Sequence, residues 1–365
     1  MLSFLKISGI IIALLVVAGF IFYQIFLKKQ MGRLPTGARL ERIEKSSNYK
    51  NGKFQNQSKT TTLAEGYSYW GILKLYLNKP KTEPDTKLPF VKTDLNAIND
   101  SQPVLVWFGH SSYFIKIKGK NILVDPVFSG HASPFSFSVK SYDGANEYKV
   151  NDFPDLDAVI ISHDHYDHLD YETILQLIPK TKKFYTSLGV GEHLEYWGVN
   201  SNDIAELDWW ENTTLFDGIS LTAAPARHFS GRGFVTEKSL WSSFILSVDG
   251  KNYYLGGDSG YDNHFKAIGE KYGPFELAIL ECGQYNEHWR YIHMLPQEVA
   301  IAANELKAKS VLPVHWSKFT LSVHPWNEPI ERLNLAAKEN GITLITPQIG
   351  QKVVVGKDFY REKWW

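Results

Sequence analysis

The chain has 365 residues, of which 44% are hydrophobic, so it is long enough to bury a sizeable core in one large α/β domain or two smaller ones. Its 39 basic and 39 acidic residues give a formal net charge of zero, which provides no electrostatic footprint for a nucleic-acid partner. Cys282 is the single cysteine, and this excludes an internal disulfide.

The amino-terminal region carries the first strong pattern. Residues 7–27 contain no charged side chain, are rich in Ile, Leu, Val and Phe, and are flanked by Lys6 and Lys28. Because roughly 20 apolar residues span a bilayer as a helix, residues 1–29 are predicted to form a single-pass transmembrane anchor. A cleaved signal peptide is the alternative, but its apolar region usually has only about 7–15 residues. The basic residues that follow favour a cytoplasmic location for the globular part.

The next region, residues 30–100, is rich in Lys, Asn, Thr, Gln and Pro and contains few periodic apolar segments. We interpret it as a connecting arm that packs on the core. An aromatic patch at residues 67–77 interrupts the arm. The patch either packs on the domain or touches the membrane, because Trp and Tyr favour the membrane interface.

Short runs with the β-branched and aromatic content of strands begin at residue 103, and helical patterns separate some of them. Asp170 is placed to cap a helix, Pro296 to begin another, and Gly341 to end a third. This mixture predicts a layered α/β domain over residues 101–365, with helices outside the sheets. The predicted strands are 104–108, 114–117, 122–124, 158–161, 219–223, 244–248, 253–255, 277–280 and 311–314.

The densest cluster of ligand-type side chains directly follows the apolar segment Ala158–Ile161. His163, His165, Asp167 and His168 stand within six residues of sequence. Imidazole nitrogen and carboxylate oxygen together suit borderline cations such as zinc, whereas the alternative is a solvated polar loop. Three further residues of ligand type end later predicted strands, namely His228, Asp258 and His315.

In order and position this set resembles the metallo-β-lactamase fold superfamily, whose αββα sandwich gathers such residues on loops along one edge of the paired sheets. The resemblance covers roughly residues 104–355 and implies that residues 101–365 form a hydrolase domain. Further motifs make the chain similar to the branch that contains N-acylphosphatidylethanolamine-hydrolysing phospholipase D. These motifs are WFGHSS (107–112), ILVDPVF (122–128), LGGDSG (255–260) and HMLPQE (293–298), with the arm segments 39–43 and 48–56.

The resemblance implies two zinc ions per chain. Two cations about 3.5–4 Å apart can share a hydroxide and polarise a phosphoryl oxygen. Iron or manganese stays open, because geometry and availability decide metal choice as much as ligand type. The resemblance assigns His163, His165 and His228 to one zinc and Asp167, His168 and His315 to the other, with Asp258 as the bridge.

Other residues near the predicted ligands are candidates for supporting or catalytic roles. Asp125 follows the predicted strand 122–124 and could accept a proton from a ligating imidazole, although a turn or cap role fits its spacing equally well. His293 is a candidate for proton transfer or phosphate contact, with an ordinary surface histidine as the alternative. Asp167 and His293 are therefore the predicted catalytic residues, and His110 joins Asp125 as a predicted supporting residue.

The resemblance implies a membrane-anchored, zinc-dependent phosphodiesterase of phospholipase D type that acts on N-acylphosphatidylethanolamine-like phospholipids. A lactonase or thioesterase on the same metal centre is the alternative, since fold and metals do not define the substrate. A membrane-attached scaffold is the non-catalytic alternative. It predicts the loss of some ligand positions, and none is lost.

Overall fold

The computed structural model describes residues 8, 11–12, 14–19, 23–99, 101–360 and 362–365. Within these ranges no helix is both long and apolar enough to cross a bilayer. The structure therefore gives no support to the predicted transmembrane helix, part of which lies outside the described residues. The predicted boundaries between anchor, arm and main domain stay predictions.

Two mixed β-sheets face each other at the centre of the described chain. The first has the order β15-β3-β4-β5-β6-β7-β8, and the second has the order β14-β13-β12-β11-β10-β9. A separate hairpin of β1 and β2 belongs to the arm. The strands are β1 (Tyr49–Lys50), β2 (Lys53–Phe54), β3 (Val104–Trp107), β4 (Tyr113–Ile117), β5 (Lys120–Val124), β6 (Ala158–Ile161), β7 (Phe184–Ser187), β8 (Ile204–Leu207), β9 (Asn212–Phe216), β10 (Ile219–Ala224), β11 (Ser243–Val248), β12 (Lys251–Leu255), β13 (Phe275–Glu281), β14 (Val311–Val314) and β15 (Lys352–Val354).

Helices lie on the outer faces of the two sheets, so the expected αββα sandwich is confirmed. Asp170 caps the helix that follows the histidine cluster, as predicted, because its side chain accepts the Glu172 N–H. The helices are α1 (Lys28–Met31), α2 (Gly37–Glu44), α3 (Tyr69–Leu77), α4 (Tyr171–Leu177), α5 (Gly191–Tyr196), α6 (His264–Tyr272), α7 (Pro296–Glu305) and α8 (Glu328–Glu339).

Strand β6 shows how the sequence builds the layers. Its side chains alternate between faces, as strand geometry requires. Ala158 and Ile160 pack in the core between the two sheets, whereas Val159 and Ile161 pack under the outer helices. Because both faces of β6 are buried, all four of its residues are apolar.

Strand direction places the site at one edge of the sandwich. In the second sheet β12, β13 and β14 are parallel, and β10 runs the same way because β11 is antiparallel to both β10 and β12. In the first sheet β5, β6 and β7 are parallel. The carboxyl ends of these strands therefore carry loops at a common edge of their own sheet, where ligands commonly bind in α/β folds.

Candidate metal centre

The loop between β6 and α4 carries His163, His165, Asp167 and His168. Asp170 holds the far end of this loop. Its carboxylate caps α4 and also accepts the backbone N–H groups of Phe128 and Ser129 at 3.2 and 2.9 Å. A single buried carboxylate thus joins the loop that carries the histidines to the loop that follows β5.

One group of donor atoms brings together His163, His165, His228 and Asp258, with each atom within 4.8 Å of the others. His165 Nδ1 lies 3.0 Å from His163 Nε2 and 3.1 Å from His228 Nε2. Asp258 Oδ2 lies 3.9 and 3.8 Å from the same two Nε2 atoms. The three histidines predicted for the first zinc therefore converge on one point.

A second group brings together Asp167, His168, His315 and also His110. Asp167 Oδ2 lies 3.2 Å from His315 Nε2, 3.6 Å from His168 Nε2 and 2.8 Å from His110 Nε2. The residues predicted for the second zinc thus lie together. His110 adds a fully buried imidazole on the Asp167 carboxylate.

Asp258 reaches both groups. Its Oδ2 lies 3.2 Å from His315 Nε2 and faces His163 and His228, while its Oδ1 lies 3.1 Å from His168 Nε2. This carboxylate stands where a ligand shared by two cations would be needed. Bridging itself remains a prediction.

Unsatisfied polar atoms test whether this donor set fits a metal. His168 Nε2 and Asp258 Oδ1 are buried, and although they lie 3.1 Å apart, neither has a hydrogen-bond partner. An unsatisfied buried polar group costs about 1–3 kcal/mol, and more when it is charged. A cation coordinated by these atoms would remove that cost, so the residues fit divalent metal ions of the kind that imidazole and carboxylate select.

Burial and neighbouring charges set the protonation of the donors. Burial lowers the pKa of His163 and of His228 well below the ordinary value, which favours the neutral imidazole that binds metals. Burial alone would raise the pKa of Asp167, but His168 and His110 hold it well below its usual range. Burial would lower the pKa of His315, but Asp258, Asp167 and Glu281 raise it to about 10, so a cation would compete with a proton there.

Asp125 lies where sequence reasoning expected a supporting residue. Its Oδ2 is 2.8 Å from His168 Nδ1, and its two oxygens accept the Ser162 N–H at 2.8 Å and the Ser162 hydroxyl at 2.6 Å. Such a carboxylate fixes the ring orientation and tautomer of an imidazole and leaves Nε2 for a metal.

Glu281 is a site residue that sequence reasoning missed. It ends β13 and is almost fully buried. Its Oε2 lies 2.8 Å from His293 Nδ1 and 3.1 Å from His315 Nδ1, while its Oε1 accepts the N–H groups of Ser259 and Met294. The position of this acid at the end of an apolar strand could have identified it as a site residue, because the predicted ligand Asp258 also follows an apolar strand, β12.

Asn56 is a second missed residue, and it comes from the arm. Its Nδ2 donates to the His228 carbonyl at 2.7 Å, and its Oδ1 accepts the His228 N–H at 3.0 Å and the Trp241 indole N–H at 3.0 Å. The arm therefore helps to place His228 in the site.

Backbone conformation is unusual at three of these positions. His110, Asp125 and His315 have φ values of 51°, 42° and 68°, in the left-handed region that non-glycine residues rarely adopt. Such conformations cost on the order of 1–3 kcal/mol each and persist where surrounding structure fixes them. The fold thus holds these side chains in place at the expense of local stability.

A cavity of about 370 Å³ opens above the donor groups. Its floor includes His165, Asp167, His228, Asp258 and His315, with His293 beside them. Apolar and aromatic side chains form much of its wall, including Ile72, Tyr76, Phe229, Trp289, Ile292 and Leu321.

Comparison with known proteins agrees with this geometry. Residues 120–316 match the family described as "Beta-lactamase superfamily domain". The chain is 36% identical over 328 residues to an uncharacterized protein of Mycobacterium tuberculosis, with 88% of each chain covered. It is 28% identical over 307 residues to the N-acyl-phosphatidylethanolamine-hydrolyzing phospholipase D 1 of Caenorhabditis elegans, a match that covers 78% of this chain and 86% of the relative. A solved metallo hydrolase of Ignicoccus hospitalis, Igni18, has a TM-score of 0.55 at 21% identity, covering 69% of this chain and 97% of its own.

The αββα sandwich, with buried histidines and carboxylates gathered on loops at its edge, defines a metal-dependent hydrolase. The chain belongs to the β-lactamase superfamily, because the family match covers more than half of its length. N-acyl-phosphatidylethanolamine-hydrolysing phospholipases D are among its homologues. The superfamily resemblance noted from the sequence is therefore confirmed, while the individual ligand roles and the identity and number of the metal ions stay predictions.

Proposed function

We propose that the protein is a dinuclear zinc phosphodiesterase of phospholipase D type that acts on N-acylphosphatidylethanolamine-like phospholipids. The observation that carries the proposal is the apolar-walled cavity directly above two groups of metal-donor side chains that Asp258 joins. The homology to the Caenorhabditis elegans phospholipase supports the choice of substrate.

Bound zinc ions would supply an activated water and would stabilise negative charge on the phosphoryl group. Asp167 and Asp258 contribute carboxylate oxygens to the two donor groups, while Asp125 and Glu281 orient His168 and His315 through their Nδ1 atoms.

His293 occupies the rim of the donor groups. Its Nδ1 is engaged by Glu281, and its ring stacks on that of His315 with centroids 5.1 Å apart. This arrangement leaves Nε2 to contact the phosphate or to donate a proton to the departing alcohol oxygen. Hydrogen bonding to Glu281 favours the Nδ1–H tautomer of the ring. Asp167 acts as a ligand that His110 holds in place.

The wall of the cavity suits an acylated substrate. Phe229, Trp289, Ile292 and Leu321 present apolar surface above the polar floor. Acyl chains of a phospholipid gain free energy from contact with such surface, at about 25 cal/mol for each Å² removed from water. The phosphodiester would then lie over the metal-donor groups.

A substrate panel tests the proposal. Purified zinc-loaded protein should convert N-acylphosphatidylethanolamine to phosphatidic acid and N-acylethanolamine. Turnover of lactones or thioesters without any phosphodiester cleavage would contradict the proposal and favour the alternative hydrolase. Absence of hydrolysis of every substrate by protein with a full metal content would favour the scaffold.

Zinc content provides a second test. Wild-type protein should contain about two zinc ions per chain, following the two-metal logic of the site. His165→Ala should lower this content, whereas His288→Ala, which alters a histidine outside the donor groups, should not. An equally low metal content in wild type and His165→Ala would overturn the assignment.

Residues 1–29 are proposed to attach the protein to a membrane, with the globular part on the cytoplasmic side. Six large apolar side chains described in this segment are exposed, namely Ile11, Ile12, Leu14, Leu15, Val16 and Val17. Full-length protein should therefore stay in the pellet when membranes are extracted at alkaline pH. Release into the supernatant would contradict the anchor.

A further inference from the structure

Helix α3 turns an apolar stripe toward solvent. Tyr69, Trp70, Leu73 and Leu77 are 74%, 62%, 46% and 73% exposed. Their spacing places them on neighbouring positions of one helical face. A surface helix of a globular protein normally directs such a stripe to the core, so this orientation calls for a partner.

An adjoining face of the same helix borders the candidate active site. Ile72 and Tyr76, four residues apart, line the cavity above the metal-donor groups. The Tyr76 hydroxyl donates to the Leu321 carbonyl at 3.0 Å and ties the helix to another part of the cavity wall. Helix α3 therefore borders the cavity with one face and turns the adjoining apolar face to solvent.

The charged residues near the stripe indicate what kind of surface it binds. Lys74 lies within α3 and Lys79 follows it, whereas Lys81 further along is paired with Asp85. Lys74 Nζ lies 5.7 Å from the centre of the Trp70 ring, so the basic group stands beside the aromatic surface. Trp, Tyr and Leu next to lysines are typical of helices that lie in the headgroup region of anionic membranes.

We propose that α3 docks on the surface of an anionic lipid bilayer and holds the mouth of the cavity against it. Tyr69, Trp70, Leu73 and Leu77 enter the headgroup region, while Ile72 and Tyr76 remain in the cavity wall. A lipid leaving the bilayer would then meet the metal-donor groups without crossing water. This inference rests on the proposed function for its substrate, but the docking itself can be measured without turnover.

A site-specific fluorescent label tests the docking. Cys282 is fully buried, so a nitrobenzoxadiazole label can be directed to Leu77→Cys in the full-length protein. Leu335→Cys on α8 is the matched control, because Leu335 is also a leucine and is 63% exposed. Both proteins are mixed with phosphatidylglycerol vesicles that contain spin-labelled lipids, and with phosphatidylcholine vesicles of the same design.

The label at position 77 should shift to shorter wavelength and be quenched by the spin-labelled lipids, more strongly with phosphatidylglycerol. The label at position 335 should show neither change. Equal responses at the two positions would overturn the proposal. The apolar stripe of α3 would then be expected to bind a protein partner instead of a membrane.

Kinetics separate this proposal from the proposed function. The double variant Leu73→Glu, Leu77→Glu should raise KM for vesicle-presented substrate by about tenfold or more. Each leucine that is buried in the membrane contributes roughly a tenfold factor to membrane binding, and the two substitutions remove this contribution. The kcat on detergent-dispersed substrate should not change, and Leu335→Glu should behave as wild type. Equal KM values for the double variant and wild type on vesicles would contradict the docking. If the protein lacks phosphodiesterase activity, the label at position 77 still reports docking.

Discussion

At the scale of single residues, the site depends on carboxylates that hold the histidines as much as on the histidines themselves. Asp125 orients His168, and Glu281 orients both His293 and His315. The sequence predicted Asp125 as a supporting residue for a ligating imidazole, because it follows a short strand within a recognisable motif, although a turn or cap role fitted its spacing equally well. The role of Glu281 depends on two loops that meet only in the folded chain.

Glu281→Gln should separate this orienting role from simple packing. A glutamine keeps the size of the side chain but loses the charge that accepts both Nδ1–H groups, so kcat and zinc affinity should fall by about 10–100-fold. Glu276→Gln on the same strand is the control, because Glu276 forms an exposed ion pair with Lys309. Activity assays and elemental analysis measure both effects. Wild-type kcat and zinc content in Glu281→Gln would contradict the role.

Lys318 is a buried lysine behind the loop of His110. Its Nζ donates to the carbonyls of Val127 and Phe108 at 2.8 and 3.3 Å, and burial lowers its pKa from 10.5 to about 7. Between these two pH values the unfolded chain binds a proton that the folded chain does not. The Lys318 contribution to the free energy of unfolding should therefore rise as the pH increases from about 7 to 10.5.

Lys318→Met should remove this part of the pH dependence. Denaturant unfolding at pH 7 and at pH 9 should show a smaller gain with pH for Lys318→Met than for wild type. Lys338→Met, at an exposed position of α8, should keep the wild-type gain. Identical pH profiles for wild type and Lys318→Met would show that the buried amine stays protonated.

At the scale of elements, the strands that lead to the site were predictable and several others were not. Strands β6 and β14 match their predicted bounds, because apolar residues buried on both faces produce a clear sequence signal. Strands β8 and β9 were not predicted, because both are short and partly exposed, and β9 begins with the polar run NTT. The aromatic patch of the arm is a helix that walls the cavity, and spacing alone did not place it there.

The arm also reaches the site through Asn56, which follows the hairpin of β1 and β2. Asn56→Ala should remove both hydrogen bonds to the His228 backbone, which are worth about 0.5–1.5 kcal/mol each, and should weaken zinc binding. Gln57→Ala, which alters the exposed neighbouring amide, is the control. Zinc titration and thermal unfolding of the two variants measure the effects. Equal zinc affinity in both would contradict a role for the arm in placing His228.

At the scale of the whole molecule, the two sheets supply complementary halves of the centre. The first sheet contributes the loop of His163 to His168, and the second contributes His228, Asp258 and His315. The family and the ligand-type residues could be predicted because they form local motifs in a fixed order. The cavity wall could not, because it combines the arm with loops that are distant in sequence, and this wall bears most directly on substrate choice.

The central claim is that the protein cleaves a phosphodiester by attack of water on phosphorus. Hydrolysis of N-acylphosphatidylethanolamine by the zinc-loaded protein in ¹⁸O-labelled water, followed by mass spectrometry of both products, tests it most directly. The account predicts ¹⁸O in the phosphate of phosphatidic acid and none in N-acylethanolamine, with no product from His165→Ala. Label in N-acylethanolamine, or no cleavage by wild-type protein that holds its metal, would contradict it.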